Sequence, residues 1–149
     1  MKKMFPALLL SVVLLAGCAG RGPYHAAVVI EHDAVTIVGA FQRAETDEFN
    51  ASHESLEEHQ KLEGLIEKVG LAGQTVNHAL QAGESQQTVL GDIKIMVQAV
   101  SDLNTNGILG VKNAQAQAVL TTALNAIKAL LQNLQTEVGA AQTTTGAKP

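Results

Sequence analysis

Residues 114–138 read AQAQAVLTTALNAIKALLQNLQTEV and contain the strongest apolar stripe in the chain. The large apolar residues of this stripe follow one another in steps of three and four: Leu120, Leu124, Ile127, Leu131, Leu134 and Val138. This is the spacing of one face of an α-helix, so the segment predicts a long amphipathic helix. Asn113 is suited to cap its N-terminus, and Gly139 is expected to end it. Such a helix needs other helices to cover its apolar face.

Two earlier segments show the same period. In residues 56–81 the stripe is Leu62, Leu65, Val69, Ala72, Val76 and Ala79. In residues 86–103 it is Val89, Ile93, Met96, Val100 and Leu103. Ser55 followed by Glu58 has the form of a capping box, and Ser85 is a candidate N-cap. Gly64, Gly70 and Gly73 weaken the second helix, and we expect close approach of a neighbouring helix to compensate.

Residues 25–49 are ambiguous, because their β-branched residues favour a strand by propensity. Their periodicity favours a helix, with a stripe formed by Ala27, Ile30, Ala34, Ile37, Phe41, Ala44 and Glu48. This choice of stripe leaves Glu31 and Glu45 off the apolar face. We predict one long helix here. The alternative is an α+β fold in which residues 26–41 form strands.

Four helices with short connections predict an all-α, up-down-up-down four-helix bundle over residues 25–139. The connection 104–113 (NTNGILGVKN) is rich in Gly and Asn and is expected to be a loop. Residues 140–149 (AAQTTTGAKP) have few bulky apolar side chains and are expected to form a disordered tail.

The N-terminus, MKKMFPALLLSVVLLAGCAG, predicts export. Lys2 and Lys3 precede an apolar run of about ten residues, whereas a membrane-spanning helix needs about 20. Residues 1–17 are therefore expected to be a cleaved signal peptide. Leu15-Ala16-Gly17-Cys18 resembles the lipobox of bacterial lipoproteins, which implies that Cys18 is lipidated and becomes the first residue of the mature chain. The alternative is an ordinary signal peptide with a chance cysteine near its end.

The lipobox resemblance also has implications for location. In enterobacterial lipoproteins an Asp after the cysteine resembles a signal for retention in the inner membrane, and here Ala19 stands in that place. We therefore expect the outer membrane, with the domain facing the periplasm. The lipidated Cys and short linker, residues 18–24, would hold the bundle close to the lipid. In size and anchoring alone, such a chain resembles the pilot proteins of secretion systems and the outer-membrane subunit of phage spanin complexes.

Composition excludes several functions. The chain from Cys18 onward carries 14 acidic and 8 basic residues, because Lys2 and Lys3 precede it, and this acidic balance argues against nucleic acid as a partner. One Tyr, three Phe and no Trp offer little surface for base stacking. The chain has no nucleophile-elbow motif and no glycine-rich nucleotide motif. We therefore predict a protein that is not an enzyme, with no catalytic residues and no cofactor.

The five histidines raise the question of a metal site. His53 and Glu57 are four residues apart, as are His59 and Glu63, so each pair shares a helix face. Carboxylate-bridged metal sites in four-helix bundles use Glu-x-x-His motifs, and the chain contains none. We expect His53 and His59 to face solvent in a charged region, and we predict no metal site.

The end of the bundle far from the lipid anchor, formed by residues 50–55 and 104–113, is the candidate contact surface; we call it the distal end. Residues 45–67 hold eight acids and one base. The neighbouring loop carries Ile108, Leu109 and Val111 as candidate partner-binding residues, although these three side chains would equally well cover the end of the core.

The sequence therefore predicts a membrane-anchored accessory or scaffold lipoprotein of the bacterial cell envelope that binds another envelope protein. One alternative is a self-associating structural envelope lipoprotein, in which the Gly- and Ala-rich second helix pairs between copies. Another is a phage-type lysis lipoprotein. A carrier of small molecules is a weaker alternative, because no feature of the sequence marks a pocket.

Overall fold

The computed structural model describes residues 24–141. These residues form four α-helices: α1 (His25–Asn50), α2 (Leu56–Ala82), α3 (Gln86–Asp102) and α4 (Ala114–Ala140). Residues 24–141 contain no β-strand, so the all-α prediction is confirmed and the strand alternative for residues 26–41 is wrong. The predicted signal peptide, the lipidation of Cys18 and residues 142–149 of the predicted tail lie outside the described residues.

The helices form an up-down-up-down bundle. Each helix packs against the next one in the chain, and α1 packs extensively against α4, which closes the ring. The buried apolar residues of all four helices form a single core. This arrangement places the 51–55 connection and the segment between α3 and α4 together at the distal end.

The predicted helix starts are confirmed. The Ser55 hydroxyl accepts a hydrogen bond from the Glu58 N–H (3.2 Å), and Glu58 Oε2 accepts one from the Ser55 N–H (2.8 Å). Ser85 and Asn113 cap α3 and α4 through their side-chain oxygens. The predicted end of α4 at Val138 is wrong by two residues, because the helix passes through Gly139 and ends at Ala140.

The predicted stripes of α2, α3 and α4 are confirmed, since every residue assigned to them is buried. The stripe of α1 differs from the prediction. Its buried residues are Ala27, Glu31, Ala34, Val38, Phe41 and Glu45. Ile30, Ile37 and Ala44 are only half-buried. At three positions of α1 the buried residue is therefore the one that follows the predicted residue. Glu31, Val38 and Glu45 are buried in place of Ile30, Ile37 and Ala44. This rotation of the buried face brings two glutamates into the interior.

The segment 104–113 is more ordered than the predicted loop. A π-helical turn (Leu103–Gly107) continues α3, and a 3₁₀ turn (Ile108–Gly110) follows it. Gly107 is buried, and a Cβ added there would lie 2.8 Å from Leu62 Cδ2 and 3.1 Å from Leu65 Cδ1. A glycine at this position lets the turn pack directly on α2.

The prediction for the α2 glycines is confirmed only for Gly73, where a Cβ would lie 3.3 Å from Met96 Cε of α3. A Cβ at Gly64 or Gly70 would meet no described atom within 4 Å, so no neighbouring helix of residues 24–141 compensates for these two. Within residues 24–141, none of the helices is both long enough and apolar enough to cross a membrane.

The packing around Gly107 gives a test of the distal fold. We expect Gly107→Ala to lower the free energy of unfolding by about 1–3 kcal/mol, because the added methyl group meets two buried leucine side chains. Gly110→Ala is the matched control, since a Cβ there contacts no described atom within 4 Å. Urea unfolding followed by circular dichroism measures both. Equal stability of the two variants would contradict the close packing of the turn on α2.

Candidate functional site

The junction between α1 and α2 contains a group of ionisable side chains that is largely buried. Glu45 is fully buried, Glu54 is 6% exposed, and the His59 side chain is 14% exposed. Glu63, one helical turn beyond His59, is half-exposed. We call these four residues the junction cluster. Burial of several carboxyl groups in one place costs free energy unless each is paired or protonated.

Local structure explains how these side chains meet. The rotated stripe of α1 places Glu45 on the inner face of its penultimate turn. The connection 51–55 reverses the chain, with Ser52 in the left-handed region at φ 61°. The capping box then starts α2 at Leu56, which puts His59 in its first turn. The His59 ring stacks on Phe49 of α1, with centroids 3.9 Å apart and planes 6° apart.

His59 connects the two helices through its ring nitrogens. Its Nδ1 lies 2.6 Å from Glu45 Oε1, a short hydrogen-bond distance. Its Nε2 lies 3.8 Å from Glu63 Oε2. The imidazole is therefore held between a buried carboxylate on α1 and a more exposed one on α2.

The remaining buried carboxyl oxygens of the cluster have only one another as neighbours for a hydrogen bond. Glu45 Oε2 and both oxygens of Glu54 receive no hydrogen bond when both groups are ionised, and the two carboxyl groups can bond to each other only when one of them carries a proton. Burial, and next the adjacent Glu45 carboxylate, raises the pKa of Glu54 to about 7. Removal of these oxygens from water is costly, so the cluster requires a proton or another positive charge beside Glu54 and Glu45.

The histidine predictions have mixed outcomes. His53 is a third exposed, and its Nδ1 lies 2.6 Å from Glu48 Oε2. For His59 the prediction of a solvent-facing ring is wrong, because the ring is packed on Phe49 and bonded to Glu45. Sequence reasoning missed this contact because Glu45 had been placed off the inward face of α1.

The predicted partner-binding residues separate into two groups. Ile108 and Val111 are 0% and 5% exposed and belong to the core, so burial removes them from the candidate surface. Leu109 is 60% exposed. Leu56, which the sequence analysis did not select, is also 60% exposed. The Lys112 N–H donates to Glu58 Oε1 at 3.1 Å, which ties the segment of Leu109 to the start of α2.

A groove runs along the outer side of α1 and α2, with a volume of about 650 Å³. Its lining includes Val38 of α1 and Gly64, Gly70 and Leu71 of α2. Leu71 is 55% exposed, and the two glycines leave the α2 backbone uncovered. Glu63 of the junction cluster also lines this groove.

A second buried carboxyl group lies nearer the other end of α1. Glu31 is fully buried and accepts a hydrogen bond from the Asn77 side-chain amide of α2. Its other oxygen has no hydrogen-bond partner among residues 24–141. Burial raises the pKa of Glu31 above its ordinary value, and the smaller effects of Asn77 and His32 oppose the increase.

Comparison of the chain with protein-family models, curated proteins and solved structures found no match. Function is therefore inferred from the residues and contacts of this chain. Three features are available for that inference: the junction cluster, the exposed leucines at the distal end and the groove between α1 and α2.

The raised pKa of Glu31 predicts a pH-dependent contribution to stability. The folded state retains a proton that the unfolded chain releases above its ordinary pKa of 4.5, so the contribution is complete below that pH and declines as pH rises. Glu31→Gln keeps the hydrogen bond from Asn77 without an ionisable group. We therefore expect it to be more stable than wild type at about pH 8, and close to it at about pH 4.

Thermal unfolding followed by circular dichroism across this pH range measures the difference between Glu31→Gln and wild type. Glu137→Gln, at an exposed position of α4, is the control and should follow wild type throughout. A Glu31→Gln difference that does not change with pH would show that Glu31 ionises normally in the folded protein.

Proposed function

We propose that this chain is an accessory lipoprotein of the bacterial cell envelope, anchored by lipid on Cys18, that binds another envelope protein through the distal end of its bundle. The observation that carries the proposal is the sequence Leu15-Ala16-Gly17-Cys18, placed after a positively charged start and a short apolar run. Lipid chains contribute about 0.8 kcal/mol per buried methylene group, and two or more chains give stable attachment.

The expected geometry of the anchored protein follows from chain length. Residues 19–24 span at most about 20 Å when fully extended, so the start of α1 would lie near the membrane surface. Helix α1 has 26 residues, which corresponds to about 39 Å at 1.5 Å per residue. The distal end would therefore face away from the lipid, where a second envelope protein has access to it.

The distal end offers a small apolar surface among charged side chains of both signs. Leu56 and Leu109 are exposed on segments joined by the hydrogen bond from Lys112 to Glu58. Glu57, Lys61 and Lys112 are exposed and line one depression there. This combination fits a partner segment that carries apolar side chains flanked by charged residues of both signs.

A self-associating envelope lipoprotein is the second candidate function. The groove with Gly64, Gly70 and Leu71 favours it, because glycines without covering side chains permit close approach of a further helix. In this alternative the occupant of the groove is a second copy of the chain. Gly70→Leu would then reduce association between copies without changing the core.

Leu109→Asp tests the distal surface. We expect the variant to weaken partner binding by roughly tenfold or more, while its helical circular dichroism and its midpoint of thermal unfolding stay unchanged. Ile95→Asp is the matched control, because Ile95 on α3 is 61% exposed and Leu109 is 60% exposed. If both variants bind as wild type does, the distal surface is not the contact site. Loss of helical signal in Leu109→Asp would place Leu109 in the core.

Purification of the full-length protein from its native host in gentle detergent tests the function as a whole. Mass spectrometry should find an acylated Cys18 at the N-terminus and a stoichiometric envelope protein that is lost with Leu109→Asp. If the acylated protein is found only with copies of itself, the result favours the self-associating lipoprotein over the accessory one. If the N-terminus carries no lipid, the result contradicts both the accessory lipoprotein and the self-associating lipoprotein.

A further inference from the structure

The junction cluster holds more buried carboxyl oxygens than its own residues supply with hydrogen-bond donors. Glu45, Glu54 and Glu63 surround one imidazole, and Glu45 and Glu54 are almost completely buried. A proton on Glu54 balances one carboxylate. A divalent cation balances two and also provides a partner for oxygens that have none.

The geometry favours a cation. Glu45, His59 and Glu63 each offer one ligand atom, and these atoms all lie within 4.8 Å of one another. A tetrahedral ion with bonds of about 2.1 Å holds its ligand atoms about 3.4 Å apart. Glu63 would move inward, and the ion would take the place of the proton between His59 and Glu45, whose hydrogen-bonded atoms are 2.6 Å apart. Glu63 is half-exposed and free to supply that movement, whereas Glu45 and His59 are held by packing.

An independent observation points to the same place. Glu45, one of the three converging residues, is fully buried, and its Oε2 receives no hydrogen bond when it and the adjacent Glu54 carboxyl group are both ionised. Buried carboxyl groups without partners are rare in proteins and often mark an ion or a functional group. Glu54 is placed to act as a further ligand or to bond to a ligand carboxylate.

We propose that the junction cluster binds one divalent first-row transition-metal ion, with Glu45, His59 and Glu63 as ligands. One imidazole nitrogen with carboxylate oxygens suits Zn²⁺, Co²⁺ or Mn²⁺, whereas Mg²⁺ and Ca²⁺ bind preferentially to sets made of oxygen alone. The proposal departs from the prediction of no metal site made from the sequence. It concerns α1 and α2 only and does not depend on the lipid anchor or on a partner.

Bound metal would add a link between two helices that are already joined at this end by residues 51–55, by the contact of His59 with Glu45 and by its stacking on Phe49. The ligands come from the end of α1 and the beginning of α2, on either side of that connection. Because the ion binds the folded site, it should raise the midpoint of thermal unfolding in a manner that depends on its concentration. The stabilised segments include Leu56 and the capping box that holds Lys112.

The test uses the full-length protein in detergent, stripped of metal with a chelator that is then removed. Isothermal titration calorimetry with Zn²⁺ should give one site per chain at neutral pH, and Mg²⁺ should give no binding. Co²⁺ should produce visible absorption bands with the same stoichiometry. His59→Gln should abolish this site, and Glu63→Gln should weaken it by roughly tenfold or more.

His53→Gln is the matched control, because His53 also pairs with a glutamate in the same part of the chain but does not belong to the converging set. It should bind Zn²⁺ as wild type does. If His59→Gln fails to fold, the decision rests on Glu63→Gln, whose side chain is half-exposed. The proposal is overturned if wild type binds no Zn²⁺, or if Glu63→Gln binds as tightly as wild type. In either case the cluster is balanced by protons alone.

Discussion

The hydrogen bond between Glu45 and His59 is the interaction on which the distal half of this bundle depends. It joins the end of α1 to the start of α2 at 2.6 Å, in a place with little access to water. Loss of either partner would leave a buried polar group unsatisfied, which costs far more than the bond itself contributes. This contact is consistent with the face that α1 turns inward, with the stacking of the His59 ring on Phe49, and with the burial of Glu54 beside Glu45.

This contact also links the interior of the bundle to its exposed end. The same first turn of α2 contains His59 and Glu58, and Glu58 holds the backbone of Lys112. Leu56 and Leu109 are thus presented from segments fixed to one another, and a partner would meet a surface that is already ordered. Preorganisation of this kind lowers the entropic cost of binding.

The fold could be predicted from the sequence where apolar residues alone decide which face of a helix is buried. The stripe of α4 from Leu120 to Val138 is an example. In α1 two neighbouring faces have similar apolar content, and the periodicity favoured the face that holds Glu48 over the face that holds Glu31 and Glu45. Tertiary contacts decided otherwise, because His59 and Asn77 of α2 supply partners for Glu45 and Glu31. Residue spacing could not predict this site, because its main contact joins residues 14 positions apart across a chain reversal.

The most direct test of the account is X-ray diffraction from crystals of the protein grown with Zn²⁺, measured on both sides of the zinc absorption edge. The account predicts one strong anomalous peak within bonding distance, about 2.0–2.2 Å, of His59, Glu45 and Glu63. A map without a peak at this junction, with Glu45 still hydrogen-bonded to His59, would contradict the metal site. The buried carboxyl groups would then be a proton-sharing element of the core.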